Sequence, residues 1–373
     1  MGNDKYKRLV EAILSHAGII INGNNPWDIR IKAGGFYRRA VKEGNLGLGE
    51  SYMDGWWECE RLDEFFYKLL LSNPEEKVKR GLKLILMDLN SVIFNLSRKS
   101  RAFQIGERHY DIGNELYRHM LDRRMIYSCG YWKGSANLDS AQEAKLDLIC
   151  RKIGLRPGDK VLDIGCGWGG FAKYAAEKYG ASVVGITVSK EQVSLAREHC
   201  RDLPIEIRLQ DYRDVNEKFA HIVSVGMFEH VGHKNYRTYM EAVYKCLKDG
   251  GLFLLHTIGD ARSNAAVNPW LAKYIFPNSM IPSMKQISAS VEGLFVIEDW
   301  HNFGVYYDPT LMAWFHNFDR NWQQLRSTYS DRFYRMWKYY LLSCSGGFRS
   351  RYMHVWQVVF SKKGVPGGYC AIR

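Results

Sequence analysis

From about residue 138 onward, short β-rich runs alternate with helical patterns, and this alternation confines the chain to a parallel sheet covered by helices on both faces. KVLDIG, SVVGIT, IEIRLQD, HIVSVGM and LFLLHT read as strands one to five, with FVIEDW and VWQVVFSK as strands six and seven. GGFAKYAAEKY, stopped by Gly180, and NYRTYMEAVYKCLK, ended by Gly250 and Gly251, read as intervening helices, and a long helical stretch is expected from Pro309 to about Cys344. Asp139 with Gln142 and Ser189 with Gln192 have the spacing of capping pairs, opening helices through Ile153 and to about Cys200. Upstream, FFYKLLLS and LKLILMDLNSVIFNL read as helices, broken by the Gly-rich GNLGLGESYMDGWW. The expected fold is therefore α/β, a doubly wound, mostly parallel seven-stranded sheet preceded by a small, mainly helical N-terminal domain. The expected boundaries are 1–96 for that domain, 97–137 for a linker and lid, and 138–373 for the catalytic domain.

VLDIGCGWGG places Gly165, Gly167, Gly169 and Gly170 directly after strand one and before a helix, so the backbone there can approach a ligand closely. The spacing also satisfies GxGxxG, the dinucleotide fingerprint, which requires an acidic residue at the end of strand two to hold a ribose. Thr187 stands there instead. Asp163 inside strand one and Asp211 after strand three are present, a pattern that resembles class I S-adenosylmethionine-dependent methyltransferases. Gln192 is open to two roles, ribose contact and helix capping.

Ligands of open α/β sheets sit beyond the carboxyl ends of the strands. Strand four ends in GMFEHVG, presenting Glu229 and His230, and strand five ends in LLHTIG, presenting His256. A carboxylate and an imidazole on neighbouring strand ends can polarise a substrate, move a proton or hold a small ion. GERHYDIGNELYRHMLDRRMIYSCGYWKG has neither strand nor long helix pattern and reads as a lid. Within it Cys129 is either a position whose backbone N–H binds an acceptor or a small buried residue. A thiolate nucleophile is disfavoured, because nothing nearby would lower the thiol's pKa except Arg123 and Arg124, six and five residues away.

Charge and ring content narrow the partners. The 373 residues carry 52 Lys plus Arg against 40 Asp plus Glu, with 23 Tyr, 17 Phe and 11 Trp. That balance favours an anionic partner, whether nucleic acid, a phosphorylated metabolite or a lipid surface. Seven Lys or Arg and one acid lie between Arg320 and Arg351, interleaved with Trp322, Tyr329, Phe333, Tyr334, Trp337, Tyr339 and Tyr340. This reads either as a headgroup-facing helical surface or as a helix with rings inward and charges outward. The eight cysteines form no CxxC pair, so no zinc cage is expected and reduced thiols are. No apolar run has the length of a spanning helix and no leader pattern is evident, so a cytoplasmic protein is expected.

Taken together, HYDIGNELY, YSCGYW, VLDIGCGWGG, GMFEHVG, LLHTIG and DWHNFGVYYDPTL resemble the cyclopropane-fatty-acyl-phospholipid synthase family, to which the mycolic acid cyclopropane synthases are related. The likeness covers nearly the whole chain. DIRIKAGGF and LGLGESYMDGWWECERLDEFF are similar to the N-terminal domain of the bacterial phospholipid-acting members, which the mycolic acid enzymes lack. The resemblance implies methylene transfer from S-adenosylmethionine to a cis double bond of phospholipid acyl chains, with bound bicarbonate as proton acceptor. It implies that the ion is held by the backbone of Cys129 and by Glu229, His256 and Tyr307, with the backbone at Ile258 nearby. It assigns the cofactor to Tyr127, Ser128, Asp163, Gly165, Cys166, Gly167, Gly169, Thr187, Gln192, Asp211, Tyr212 and Arg213. It further implies a homodimer at the anionic inner face of the cytoplasmic membrane, acting on unsaturated phospholipids there, with no metal and no nucleic acid. Three other readings stay open: an acyl-chain methyltransferase giving branched or methylene products, a nucleic-acid methyltransferase, for which no RNA-binding motif is present, and a non-catalytic lipid-binding protein.

Overall fold

The computed structural model describes residues 2–72, 113–263 and 268–373. The expected helix at residues 82–96 and the beginning of the lid segment lie outside the described residues. The chain divides into two compact units. One gathers residues 113–263, 278–306 and 354–373 of the described chain around the sheet, and the other gathers 2–72, 268–277 and 307–353.

The sheet has seven strands: β1 (Lys160–Ile164), β2 (Ser182–Thr187), β3 (Ile205–Leu209), β4 (Phe219–Val225), β5 (Leu247–Gly259), β6 (Val296–Asn302) and β7 (His354–Ser361). Their spatial order is β3-β2-β1-β4-β5-β7-β6. All neighbours are parallel except β7, which runs antiparallel to both β5 and β6. The sheet is doubly wound and mostly parallel, as the alternation of patterns predicts. Val161, Leu162, Val183, Val184, Ile222 and Val223 are buried on both faces, which is why these strands read as unbroken apolar runs.

Helices α1 (Leu138–Lys152), α2 (Gly170–Tyr179), α3 (Lys190–His199), α4 (Tyr236–Cys246) and α5 (Met284–Val291) belong to the same unit. One core joins α4 and α5 to the sheet through Tyr239, Val243, Ile287, Phe253 and Phe360. Another joins α1 and α2 to the sheet through Leu146, Ile149, Ala172, Ala175 and Val223. The strand order reverses between β1 and β4, so their carboxyl ends flank the crevice where such sheets bind ligands.

Two local expectations change. The box that opens α1 is formed by Asn137 and Ser140, whose side chains each accept from the other's backbone N–H at 3.0 and 3.1 Å. Asp139 instead accepts from the backbone of Arg123 at 3.0 Å, and Gln142 is fully buried. Helix α4 stops at Cys246 rather than running to the glycines, because Leu247 already pairs with Phe219 in the sheet and is buried.

The second unit holds helices Gly2–His16, Phe36–Met53, Leu62–Leu71, Pro269–Tyr274, Tyr307–Arg320, Trp322–Leu325 and Asp331–Arg349, plus a two-residue antiparallel pair at Arg30–Ile31 and Trp57–Glu58. The stretch expected as one helix after Pro309 is thus three. Trp337, Tyr339 and Tyr340 turn inward and are buried, with Tyr339 packed on Tyr52, Phe66 and Trp270, whereas Trp322, Tyr329, Phe333 and Tyr334 are half-buried. Several of its cations are paired, Arg332 with Asp54, Arg335 with Glu58, and Arg349 with Asp63, Glu64 and Asp308. The ring-inward alternative therefore describes Trp337, Tyr339 and Tyr340, since large apolar faces stabilise the unit most when removed from water. Among the described residues no helix is long and apolar enough to cross a membrane.

Candidate active site

A cleft of about 190 Å³ opens at the carboxyl ends of β1, β2, β3 and β4. Its floor is the turn after β1, where Asp163, Gly165, Cys166 and Gly167 line it. Gly165 has φ +81°, and a Cβ there would lie 2.7 Å from the Cβ of Met227, so only glycine lets the turn pass the tip of β4. Gly169 precedes α2 and does not line the cleft, whereas Gly170 does. A Cβ on Gly170 would meet Ile126 at 2.3 Å and the carbonyl of Arg124 at 2.7 Å, which explains the fourth glycine by the segment that packs over it.

One wall carries Thr187, Gln192, Asp211, Tyr212 and Arg213. Thr187 donates its hydroxyl to Oε1 of Gln192 at 2.7 Å, and Ser189 caps α3 by accepting from the backbone of Gln192 at 3.3 Å. Gln192 thus sits at the N3 position while its side chain turns to the cleft, so capping by its backbone and ligand contact by its side chain are compatible. Asp211 accepts from the backbone of Arg213 at 3.0 Å and lies 3.3 Å from its guanidinium.

The opposite wall carries Met125, Ile126, Tyr127 and Ser128. This described part of the lid segment is a buried wall, held from both ends. Asp122 accepts from the backbone of Arg124 and Ile126 at 2.9 and 2.8 Å. From α1, Gln142 donates to the carbonyl of Ser128 at 2.8 Å, and Lys145 donates to its hydroxyl at 2.8 Å. Lys145 is completely buried and lines the cleft. Burial brings its ammonium down to about 8, opposed by the carboxylates of Asp122 and Asp163. Burial likewise raises Asp163 to about 7, and its Oδ2 has no hydrogen-bond partner among the described residues. The sequence reading missed both Gln142 and Lys145. Their signal is a polar interruption of an apolar helix stripe, in which Lys145 and Lys152 occur among Ala141, Leu148 and Ile149.

Behind the cleft, the ends of β4 and β5 bring together Glu229, His256 and Ile258. Glu229 is buried and its Oε1 accepts from the backbone of Ile258 at 2.6 Å, while Oε2 finds no hydrogen-bond partner among the described residues. Burial raises its carboxyl to about 7. The backbone of Gly226 donates to the carbonyl of His256 at 2.9 Å, and a Cβ on Gly226 would lie 3.9 Å from that of Ser128, so the lid segment abuts the same strand ends. His256 is buried, and burial together with the charges of Lys145 and Lys152 holds it neutral, well below the usual histidine range. Cys129 follows Ser128 and is fully buried. His230 lines the cleft, with burial lowering it to about 4. Tyr307 belongs to the other unit, at the start of helix Tyr307–Arg320, where it packs on Trp314 and Phe348. Among the described residues no cluster of His, Cys, Asp or Glu is arranged to hold a metal.

A glycine turn beneath a cleft at the β1/β4 reversal, with no acidic residue ending β2, defines a class I S-adenosylmethionine-dependent methyltransferase. Within that class the chain belongs to the mycolic acid cyclopropane synthetase family, whose model matches residues 97–358. It is 54% identical over 371 residues to the cyclopropane-fatty-acyl-phospholipid synthase of Escherichia coli K12, covering 100% of this chain and 97% of that protein. The cyclopropane synthase MmaA2 of Mycobacterium tuberculosis superposes with a TM-score of 0.66 at 29% identity, over 72% of this chain and 100% of that one. The mycolic acid cyclopropane synthase CmaA1, solved with SAH and CTAB, gives a TM-score of 0.66 at 30% identity, over 70% and 98%.

Proposed function

We propose that this enzyme transfers a methylene group from S-adenosylmethionine to the cis double bond of unsaturated acyl chains in phospholipids, closing a cyclopropane ring. The observation that carries this reading is the pair of buried groups at the β4 and β5 ends, the raised Glu229 carboxyl and neutral His256, next to a cleft that suits a nucleoside cofactor. Its likeness to the Escherichia coli enzyme across the full chain supports the choice of acyl substrate.

The cleft fits the cofactor. Gly165 and Gly167 give the backbone close approach, Asp211 and Gln192 offer acceptors for ribose and base, and the unpartnered Oδ2 of Asp163 awaits a donor. Tyr127, Ser128, Cys166, Thr187, Tyr212 and Arg213 complete the walls, and Gly169 shapes the turn without lining it. When bound, S-adenosylmethionine supplies an electrophilic methyl group. The protein's tasks are then to align the alkene, to exclude water that would trap a cation, and to receive a proton. Ring faces stabilise a cation by roughly 0.5–2 kcal/mol each without attacking it, which suits an aromatic site.

For the proton, the residues fit a small anion carrying its own hydroxyl, as bicarbonate does. Glu229 accepts from that hydroxyl, His256 donates and the backbone of Cys129 completes the set, while Tyr307 is a further donor on the family resemblance alone. Lys145 and Lys152 make the region around His256 positive, which favours an anion there. The backbone N–H of Ile258 donates to Oε1 of Glu229 at 2.6 Å and so orients the carboxyl group beside that anion. Bicarbonate bound there supplies a proton acceptor. We further infer that residues 1–96 place the acyl chain or mediate assembly as a homodimer, and that the enzyme works at the inner face of the cytoplasmic membrane.

The test is incubation with S-adenosylmethionine and vesicles of mixed unsaturated phospholipids, with mass analysis of the released acyl chains. The expected product has gained one CH₂ and resists hydrogenation. A CH₂ gain that then takes up hydrogen indicates a methylene product, and no gain overturns the proposal.

A further inference from the structure

His256 does not stand alone in the sheet. It lies directly opposite Gln357 across the antiparallel β5/β7 pair, and on the other side of β7, Gln357 lies opposite His301 of β6. Residues on one rung of a sheet project to the same face, so the three polar side chains form a row. Gln357 is fully buried, its Nε2 is 3.4 Å from Nδ1 of His256, and its Oε1 has no hydrogen-bond partner among the described residues. An amide kept in the sheet interior with one end unpaired is unfavourable there unless its other end serves a purpose.

The outer end of the row is fixed by charge. Nδ1 of His301 lies 3.1 Å from the ammonium of Lys152, which also reaches Asp299 at 3.3 Å. Arg373 clasps both oxygens of Asp299 at 2.6 Å each. An ammonium only donates, so His301 accepts at Nδ1 and, when neutral, carries its proton on Nε2. On the inner side, Lys145 and Lys152 from α1 are the charged groups acting on His256, Phe303 packs on its ring at 5.7 Å, and Val225 of β4 is its neighbour on the remaining side.

We infer that Gln357 is a positioning residue, whose amide N–H donates to Nδ1 of His256 and thereby holds the proton of the neutral imidazole on Nε2. His256 then meets the reaction site as a hydrogen-bond donor. The value of that donor to catalysis rests on the anion-site reading above, while the tautomer itself does not. A neutral imidazole with the opposite tautomer offers a lone pair where an anion needs a donor.

The experiment is long-range ¹H–¹⁵N NMR of the full-length protein labelled at histidine nitrogen, with the His256 signal identified by its loss in His256→Asn. The wild type is expected to show a neutral ring protonated on Nε2. Gln357→Met, which keeps volume but removes the donor, is expected to give a mixture of tautomers. Gln357→Glu is expected to move the proton to Nδ1 or create an imidazolium. Turnover of Gln357→Met should fall about 10- to 100-fold, the scale of losing an orienting partner behind a working histidine, with affinity for S-adenosylhomocysteine unchanged. A wild-type proton on Nδ1, or an unaltered Nε2 pattern in Gln357→Met, overturns the inference. The wild-type spectrum decides even where a variant fails to fold. Turnover indifferent to bicarbonate would remove the anion-site reading and leave the tautomer result standing.

Discussion

Along β1, β2 and β3 the cleft is built largely from backbone and from polar groups that bond their own neighbours, whereas the tips of β4 and β5 hold an acid and an imidazole withdrawn from water. On the first side, Thr187 satisfies Gln192 and Asp211 satisfies the backbone of Arg213, each within five residues. On the second, Glu229 depends on Ile258 and His256 on Gln357, 29 and 101 residues away. Local bonding yields a surface whose shape is set before a ligand arrives. Burial at the strand tips yields groups whose protonation is set by the fold, Glu229 brought up to about 7 and His256 held neutral, and on the first side burial does the same to the Asp163 carboxyl. On the proposed function, the same protein thus separates holding a ligand from handling a proton.

The sharpest way to break this division is a pair of substitutions. Glu229→Ala should lower turnover by at least about 100-fold, within the range for losing a group that handles a proton, while affinity for S-adenosylhomocysteine stays within about twofold. Gly165→Val should do the reverse to binding, because any Cβ there lies 2.7 Å from Met227 and φ is +81°. Calorimetric titration of both variants with S-adenosylhomocysteine, alongside single-turnover rates, separates the two effects. If both variants lost affinity equally, the two regions would be one.

What was legible in the sequence follows the same divide. The seven strands and the glycine turn could be read because their constraints are local: apolar runs for strands buried on both faces, and glycine where a turn passes under a neighbouring strand. Glu229 and His256 stood out as polar residues closing apolar strands. Their environments did not, because Gln357 reads in VWQVVFSK only as one polar residue of a strand, and its meaning arises from register with β5. Lys145 interrupts an apolar stripe, yet a lysine in an amphipathic helix ordinarily faces water and only packing shows that this one does not. The rings from Tyr329 to Tyr340 were equally ambiguous, since a helical stripe shows which residues share a face but not what that face meets. Only packing against Tyr52, Phe66 and Trp270 decides it.

Protonation offers a smaller effect with a definite sign. The Glu229 carboxyl lies at about 7 in the folded protein against an ordinary value of 4.5. The native state therefore keeps its proton to higher pH than the unfolded chain does. The stability this group confers is complete below its unfolded value and is lost as pH rises through about 7. Between those limits the loss is about 1.4 kcal/mol per pH unit. Glu229→Gln should flatten that part of the stability profile, seen as a shallower decline of urea midpoints across the window. Asp163 acts in the same direction and remains in the variant, so the expected result is a reduced slope rather than none. An identical slope in both proteins would mean that Glu229 is solvated, and the contrast between the two regions would weaken.

The smallest effect tests whether the helix carrying Lys145 and Gln142 starts where the structure says. Asn137 and Ser140 each accept from the other's backbone at the start of α1, whereas Asp139 accepts from the backbone of Arg123, outside the helix. Asn137→Ala removes the acceptor for an otherwise unpaired first-turn N–H and should cost about 1 kcal/mol of unfolding free energy. Asn137→Asp keeps an acceptor in place and should recover most of it. Neither change reaches the cleft, so turnover and KM should stay at wild-type values. Asp139→Ala should cost less than Asn137→Ala, because the helix keeps its cap. The reverse order in urea unfolding would move the start of α1 to the Asp139–Gln142 spacing, and with it the reason that Gln142 and Lys145 face inward toward Ser128.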